Sequence, residues 1–316
     1  MTEMSHNYKL IFMGTPQFAV PGLRALHESG YDICLVVTQP DRPKGRGRIV
    51  TPSPVKAIAI DLGIQVIQPA SIKTAEFSEQ IKSHKPDFQI VIAYGKILSE
   101  NILAIPRVGT INIHASLLPK LRGPAPIQWA VINGERQTGI TAMLMDKGMD
   151  TGDILLTAPE PVLPEDTAGT LHDRLAVKGA KVLIETLKKF ADRTIHPTPQ
   201  DHSLATYAPL LSKDDGLIDW SESAQSLERF IRGVTPWPGA YTFFEETRLK
   251  IFKSAPIAAA TAEPPGTVQQ GFPDELRVAT GDGMLSILEI QGAAAKRMPI
   301  KDYLKGHDIP PGSVLG

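Results

Sequence analysis

Short apolar runs alternate with amphipathic segments through the first 190 residues. KLIFMG (9–14), DICLVVTQ, IQVIQP, DFQIVIAYG, GTINIHAS, GITAMLMD and DILLTAPEPV predict strands. Continuous apolar stretches such as IVIAY fit strands buried on both faces. FAVPGLRALHESG has helical spacing and stops at Gly30, SPVKAIAIDLG carries a Pro near its start and closes at Gly63, and AEFSEQIKSHK predicts a third helix. Pro in the first turn and Gly past the last are the expected punctuation. TAGTLHDRLAVKGAKVLIETLKKF predicts one long amphipathic helix. Strand–helix alternation of this kind predicts an α/β domain with a mostly parallel sheet covered by helices.

The pattern changes near residue 190. ADRTIHPTPQDHSLATYAP is rich in Pro, Thr and polar residues and reads as a linker, 191–209. SAQSLERFIRGV places Leu227, Phe230, Ile231 and Val234 on one helical stripe. Short runs separated by turn residues follow: YTFFEE, RLKIFKSAPI, GTVQQ, ELRVATGDG and MLSILEIQ. They predict a small all-β domain over 210–316, a sandwich or barrel.

The strand GTINIHAS is apolar except where it ends. Asn112 and His114 are two residues apart, so an extended chain points both side chains the same way. In open α/β sheets ligands bind outside the C-terminal ends of strands. An amide donor beside an imidazole there suits acyl transfer, the amide holding a developing oxyanion and the ring donating to it or moving a proton. A satisfied structural histidine is the competing reading. MDKGMDTGDIL adds Asp146, Asp150 and Asp153 around two glycines. They read either as a turn or as a carboxylate supporting an imidazolium, and spacing does not choose among the three. No second His or Cys cluster lies nearby, so a metal site is not expected.

The loop MGTPQFAVPGL lacks GxGxxG, which gives no support for a dinucleotide site. QPDRPKGRGRIVTPSPVK (39–56) is longer than an ordinary strand–helix connection. Arg42, Lys44, Arg46 and Arg48 stand against Asp41 in it, with Gly and Pro between, so a flexible loop is expected. In a chain of 316 residues whose net charge is −1, that local excess suits contact with a phosphate backbone. RGVTPWPGAY brings Arg232 and Trp237 together, where packing between domains is favoured over RNA stacking.

Composition narrows little else. Apolar residues make up 42% and charged residues 21%, as in a globular protein with a core. The single cysteine, Cys34, cannot form an internal disulfide and lies in the apolar run ICLVV. The N-terminus does not read as a signal peptide, and no run approaches the roughly 18 apolar residues of a membrane helix. A cytoplasmic location, no membrane partner and a monomer are expected.

GTPQFAVPGL, TQPDRPKGRG, TPSPVK, VIAYGKIL, INIHASLLPKLRGPAPIQWA, MDKGMDTGDIL and LERFIRGVTPWPGAY occur in order along nearly the whole chain. Together they resemble the methionyl-tRNA formyltransferase family. SLLP after Asn-x-His is shared with other 10-formyltetrahydrofolate enzymes; the basic segment and the β domain narrow the resemblance. It implies a Rossmann-like formyltransferase domain over 1–190 and an OB-like, tRNA-contacting β-barrel over 210–316. It implies formyl transfer from 10-formyltetrahydrofolate, as co-substrate, to the α-amine of methionyl initiator tRNA, by direct attack through a tetrahedral intermediate. Asn112 and His114 then hold the oxyanion, and Asp150 matches the catalytic carboxylate. Ser116, Leu117, Leu118 and Pro119, with Tyr94, Gly95, Lys96, Ile97 and Leu98, correspond to the folate pocket. Arg42, Lys44, Arg46 and Arg48 correspond to the tRNA-inserting loop. Two other readings compete: a formyltransferase for a sugar nucleotide or small phosphorylated amine, and a non-catalytic RNA-binding protein on the same scaffold.

Overall fold

The computed structural model describes residues 8–44, 49–259, 261–293 and 295–316. The chain divides into two compact units. One comprises Met1–Pro126, Gln137–Pro161 and His172–Ala208; the other comprises Ile127–Arg136, Val162–Leu171 and Pro209–Gly316.

The first unit is built on a seven-stranded sheet. Its strands are β1 (Lys9–Gly14), β2 (Asp32–Val37), β5 (Val66–Ile67), β6 (Phe88–Ile92), β7 (Gly109–His114), β8 (Gln137–Leu144) and β9 (Ile154–Pro161). The order is β5-β2-β1-β6-β7-β8-β9. The first five strands in that order pair in parallel, and β8 pairs antiparallel to both β7 and β9. This is the mostly parallel α/β sheet that the alternation predicts. The helices α1 (Val20–Glu28), α2 (Pro54–Asp61) and α3 (Ala75–Ser83) follow the expected spans, and the short α4 (Glu100–Leu103) and α5 (Pro126–Ile132) come after them in the chain. Ser53 and Thr74 cap α2 and α3, each accepting from the backbone N–H three residues on. Gly30 and Gly63 end α1 and α2 in the left-handed region.

Side-chain alternation sorts β7 between two cores. The long helix α6 (Ala168–Ala191) brings Gly179 within van der Waals reach of Ile113 and Ile140. Ile111 and Ile113 therefore face α6. Asn112 and His114 face the other side, where the in-register neighbour Val91 belongs to an apolar cluster with Met13, Leu35, Phe77, Ile81 and Tyr94.

The segment expected as a linker runs with the first unit. Thr198 and Ile154 exchange backbone hydrogen bonds, Arg122 N donates to Thr206 O at 2.9 Å, and Ala208 N donates to Arg122 O at 2.7 Å. A Pro- and Thr-rich composition forbids regular helix but not strand-like pairing of single residues.

The basic segment also departs from expectation. Arg42–Lys44 (β3) pairs antiparallel with Ile49–Thr51 (β4), forming a two-stranded ribbon instead of a free loop. Ile, Val and Thr favour extended backbone, and an isolated ribbon tolerates Pro43 because it is all edge. Arg46 and Arg48 lie outside the described residues.

The second unit holds a five-stranded antiparallel sheet. It comprises β10 (Ala240–Phe244), β11 (Thr247–Ile257), β12 (Leu276–Ala279), β13 (Met284–Gln291) and β14 (Met298–Pro299), in the order β10-β11-β13-β12 with β14 added to β13. It forms an antiparallel half-barrel where an OB-like β-barrel is expected. GTVQQ is no strand; Thr267 and Val268 make only single bridges, to Val314 and Val278. Helix α7 (Ala224–Gly233) carries the predicted stripe: Leu227 and Ile231 enter the core beside Trp220, Leu249, Leu285 and Ile287. Arg232 is held by Glu228 at 2.5 and 2.9 Å and donates to Asp166 O at 2.7 Å, contacts that lie within this unit; Trp237 is about half exposed.

Candidate active site

The parallel strands β1, β2, β6 and β7 open at a common edge. The loops beginning at Thr15, Thr38, Ala93 and Ala115 all leave from it. The basic ribbon, the AYGKIL segment and the SLLP turn therefore converge there from separate places in the sequence.

His114 is the last residue of β7 and is buried, with Asn112 beside it on the same face. The loop after β8 folds back over that face. Asp150 Oδ2 lies 3.7 Å from His114 Nδ1, and Asp150 Oδ1 lies 3.5 Å from Asn112 Nδ2. Of the three aspartates, Asp150 is the one that reaches the pair. Asp146 accepts from Gly148 N at 2.9 Å and Thr151 Oγ1 at 2.6 Å, which is turn chemistry. Gly152 is required: a Cβ there would stand 1.7 Å from Leu144 O.

The ring orientation of His114 is set by the chain. Its Nε2 is 3.0 Å from Leu121 O. A carbonyl only accepts, so Nε2 carries hydrogen and Nδ1 is the nitrogen turned to Asp150. Leu121 itself adopts φ +57°, and its N–H donates to Thr206 Oγ1 at 2.9 Å. Asp150 Oδ2 accepts from Gly123 N at 2.8 Å, which places the carboxylate. Asn112 Nδ2 has a donor barely engaged at 3.5 Å, so it remains available to a ligand oxygen.

SLLP turns tightly. Ser116 Oγ donates to Lys120 O at 2.6 Å, Thr141 Oγ1 donates to Ser116 O at 2.7 Å, and Leu118 N donates to Thr141 Oγ1 at 3.1 Å. Ser116 and Leu118 are buried; Leu117 and Pro119 are partly exposed. In AYGKIL, Tyr94 and Leu98 are buried in the core cluster, while Ile97 is 79% exposed. Lys96 Nζ donates to Pro69 O at 3.2 Å and Ala70 O at 3.0 Å. Gly95 has φ +78°, and a Cβ there would meet Gln39 Nε2 at 2.5 Å. That segment therefore offers a ligand Ile97 and main-chain groups, not the Tyr94 ring.

Gln39 ties the basic ribbon to this segment. Its Nε2 donates to Tyr94 O at 2.8 Å, and its Oε1 accepts from Arg42 at 3.0 Å. Asp41 binds Lys56 at 2.5 Å and Gln68 at 2.7 Å, contacts that hold its carboxyl below the usual range. Arg42 is exposed.

Two residues absent from the sequence reading complete the site. Gln200 and Arg122 are buried behind Asp150. Gln200 falls in the stretch whose composition suggests a linker, and Arg122 lies inside LPKLRGPAP; only the fold brings them together. Among the described residues no group of three or more His, Cys, Asp or Glu side chains could hold a metal ion, and no helix is long and apolar enough to cross a membrane.

The family described as "Formyl transferase" matches residues 8–187, and "Formyl transferase, C-terminal domain" matches residues 210–308. The chain is 51% identical over 308 residues to the methionyl-tRNA formyltransferase of Caldanaerobacter subterraneus, covering 97% of this chain and 99% of that protein. It is 47% identical over 308 residues to that of Citrifermentans bemidjiense, covering 98% and 96%. The fold is similar to an N-formyltransferase from Helicobacter canadensis crystallised with folinic acid and dTDP-3-aminofucose (TM-score 0.67, 19% identity, 92% of this chain and 100% of that one). It is also similar to HypX from Aquifex aeolicus in complex with tetrahydrofolic acid (TM-score 0.62, 16% identity, 94% and 47%).

Proposed function

This chain belongs to the methionyl-tRNA formyltransferase family, and from that premise we propose that it formylates the α-amine of methionyl initiator tRNA, with 10-formyltetrahydrofolate as the formyl donor. The observation that carries the reading at residue level is the convergence of Asn112, His114 and Asp150 at the open edge of the sheet. Residues 1–190 are the catalytic domain in this reading, and residues 210–316 contact tRNA. Work on an initiator tRNA puts the enzyme in the cytoplasm.

The amine nitrogen attacks the formyl carbon, the carbonyl electron pair moves to oxygen, and its return expels the folate nitrogen, which takes up a proton as the amine loses one. The protein's part is to hold charge and move that proton. Asn112 Nδ2 donates to the oxygen that becomes negative. His114 joins it through Nδ1, since Nε2 is committed to Leu121 O. An Nδ1 that donates while Nε2 also carries hydrogen is an imidazolium. Asp150, 3.7 Å away, stabilises that charge and can relay the amine proton through one water. Preorganised donors of this kind contribute about 100- to 1,000-fold each.

Ser116–Pro119 and Tyr94–Leu98 form the folate side, mostly through backbone. Arg42, Lys44, Arg46 and Arg48 engage the tRNA backbone; a small amine needs no such arm, which favours tRNA over a sugar nucleotide as acceptor. The deciding assay is formyl transfer from 10-formyltetrahydrofolate to methionyl initiator tRNA, with methionyl elongator tRNA and free methionine as controls. Transfer to the initiator alone is expected. Transfer to none of the three overturns the acceptor assignment.

A further inference from the structure

Asp150 has φ +54°, a left-handed backbone that is uncommon outside glycine and that aspartate and asparagine adopt more readily than most. The side chain that holds it there is Gln200. Gln200 Nε2 donates to Asp150 O at 2.9 Å and to Gly152 O at 2.7 Å. Its Oε1 accepts from Arg122 Nη2 at 2.6 Å and Arg122 Nε at 3.2 Å. The amide cannot be turned over: two carbonyls require its donors, and a guanidinium requires its oxygen. Both hydrogens and both lone pairs are therefore used. Gln200 is 6% exposed and Arg122 2%. Arg122 is fixed in turn by backbone bonds to Thr206 O and from Ala208 N, and by His202 Nδ1 at 3.0 Å.

We propose that Gln200 is a positioning residue for the transfer, acting through Asp150 and anchored by Arg122. It grips the carbonyls on either side of Thr151, which fixes the arc that carries the Asp150 carboxylate to His114 and to Gly123 N–H. Gln200 touches no substrate. The inference rests on Asp150 being the carboxylate that serves His114.

The substitution that separates this role from a structural one is Gln200→Glu in the full-length chain. Glutamate keeps the size and gives Arg122 an ionic partner, but it has no N–H for the carbonyls of Asp150 and Gly152. The expected result is a folded protein with a lowered thermal midpoint, since two buried carbonyls lose their donors, KM for folate and tRNA within about twofold, and kcat lower by about 100-fold, the scale of a misplaced catalytic group. The second arm repeats the substitution in an Asp150→Asn background, read by single-turnover formylation. Asn tolerates the left-handed conformation. If Gln200 acts through Asp150, Gln200→Glu costs less than about twofold further there, because coupled residues are not additive. Losses that multiply, or a Gln200→Glu enzyme with parental kcat, overturn the inference while leaving Asp150 its role. Parental turnover in Asp150→Asn alone overturns the reading of Asp150, and the inference with it. Where the glutamate variant does not fold, Gln200→Met removes the donors without adding charge and is judged by the same outcomes.

Discussion

The Nε2 of His114 lies 3.0 Å from the carbonyl oxygen of Leu121, so a main-chain group seven residues along fixes which histidine nitrogen is free. Only Nδ1 can act, on the side where Asp150 stands. His114→Ala is expected to lower kcat by about 100- to 1,000-fold, the measured scale for loss of one oxyanion donor. Binding of initiator tRNA should stay near parental. A titration of tRNA against the variant, beside its turnover, separates the two; near-parental turnover would remove His114 from the chemistry.

Gly152 carries no ligand, yet its lack of a Cβ is what lets the loop return over β7. A Cβ there would stand 1.7 Å from Leu144 O, a backbone atom that cannot swing away. Gly152→Ala must displace the loop and, with it, Asp150. A loss of about 1–3 kcal/mol in stability is expected from the overpacking. Turnover should fall by about 100-fold, as for a misplacement near 1 Å. Denaturant unfolding and kinetics on one preparation check both; an intact kcat would show that the loop has another way to place the carboxylate.

How far the sequence could be read follows from what each signal depends on. Strands such as IVIAY and the helices closed by Gly30 and Gly63 rest on local periodicity and turn chemistry, and they form where expected. Asn112 and His114 were legible as a pair because a strand has a period of two. Asp150 was not separable from Asp146 and Asp153 by spacing, since the choice depends on how a Gly-bearing loop folds back across β7. Gln200 was hidden for a different reason: Pro and Thr mark an irregular segment but do not say what it packs on. The basic segment misled because Gly and Pro suggested a free loop, whereas Ile49, Val50 and Thr51 pair with Arg42, Pro43 and Lys44.

The basic ribbon makes a prediction about salt. Each phosphate contact contributes about one unit to the slope of log binding constant against log salt. Arg42→Ala is expected to flatten that slope by about one unit and to raise KM for tRNA, with KM for folate unchanged. Arg46→Ala, in the same basic segment, should do the same. A defect confined to folate affinity would contradict the assignment of this segment to tRNA.

Cys34 is expected to be inert. Burial raises its thiol to about 11, outweighing the opposing pull of Lys9, and Asp32 adds to the rise. Its Sγ–H donates to Leu10 O at 3.2 Å. At pH 8 roughly one thiol in a thousand is then thiolate, since each pH unit below the pKa is a factor of ten. Labelling by a thiol reagent should be slow at pH 8 and accelerate as pH climbs toward 11, and Cys34→Ala should keep parental turnover. Rapid labelling of the folded protein at pH 8 would show that the thiol is not held this way.

Tyr94 separates two ways in which AYGKIL could serve a folate. Its hydroxyl is buried with no hydrogen-bond partner among the described residues, and burial pushes it up to about 12. Its ring packs with Met13, Leu35, Phe77 and Ile81 and is 1% exposed. An unpartnered buried hydroxyl costs about 1–3 kcal/mol, so Tyr94→Phe should be neutral or stabilising by about that amount. The main chain is different, because Tyr94 O and Gly95 O both accept from Gln39 Nε2, at 2.8 and 3.3 Å. Gln39→Ala releases that edge and also the partner of Arg42. It is therefore expected to raise KM for both folate and tRNA, while Tyr94→Phe leaves both within about twofold. Calorimetry and steady-state kinetics on the two variants decide it: a folate defect in Tyr94→Phe would mean that the ring, not the backbone it anchors, meets the ligand.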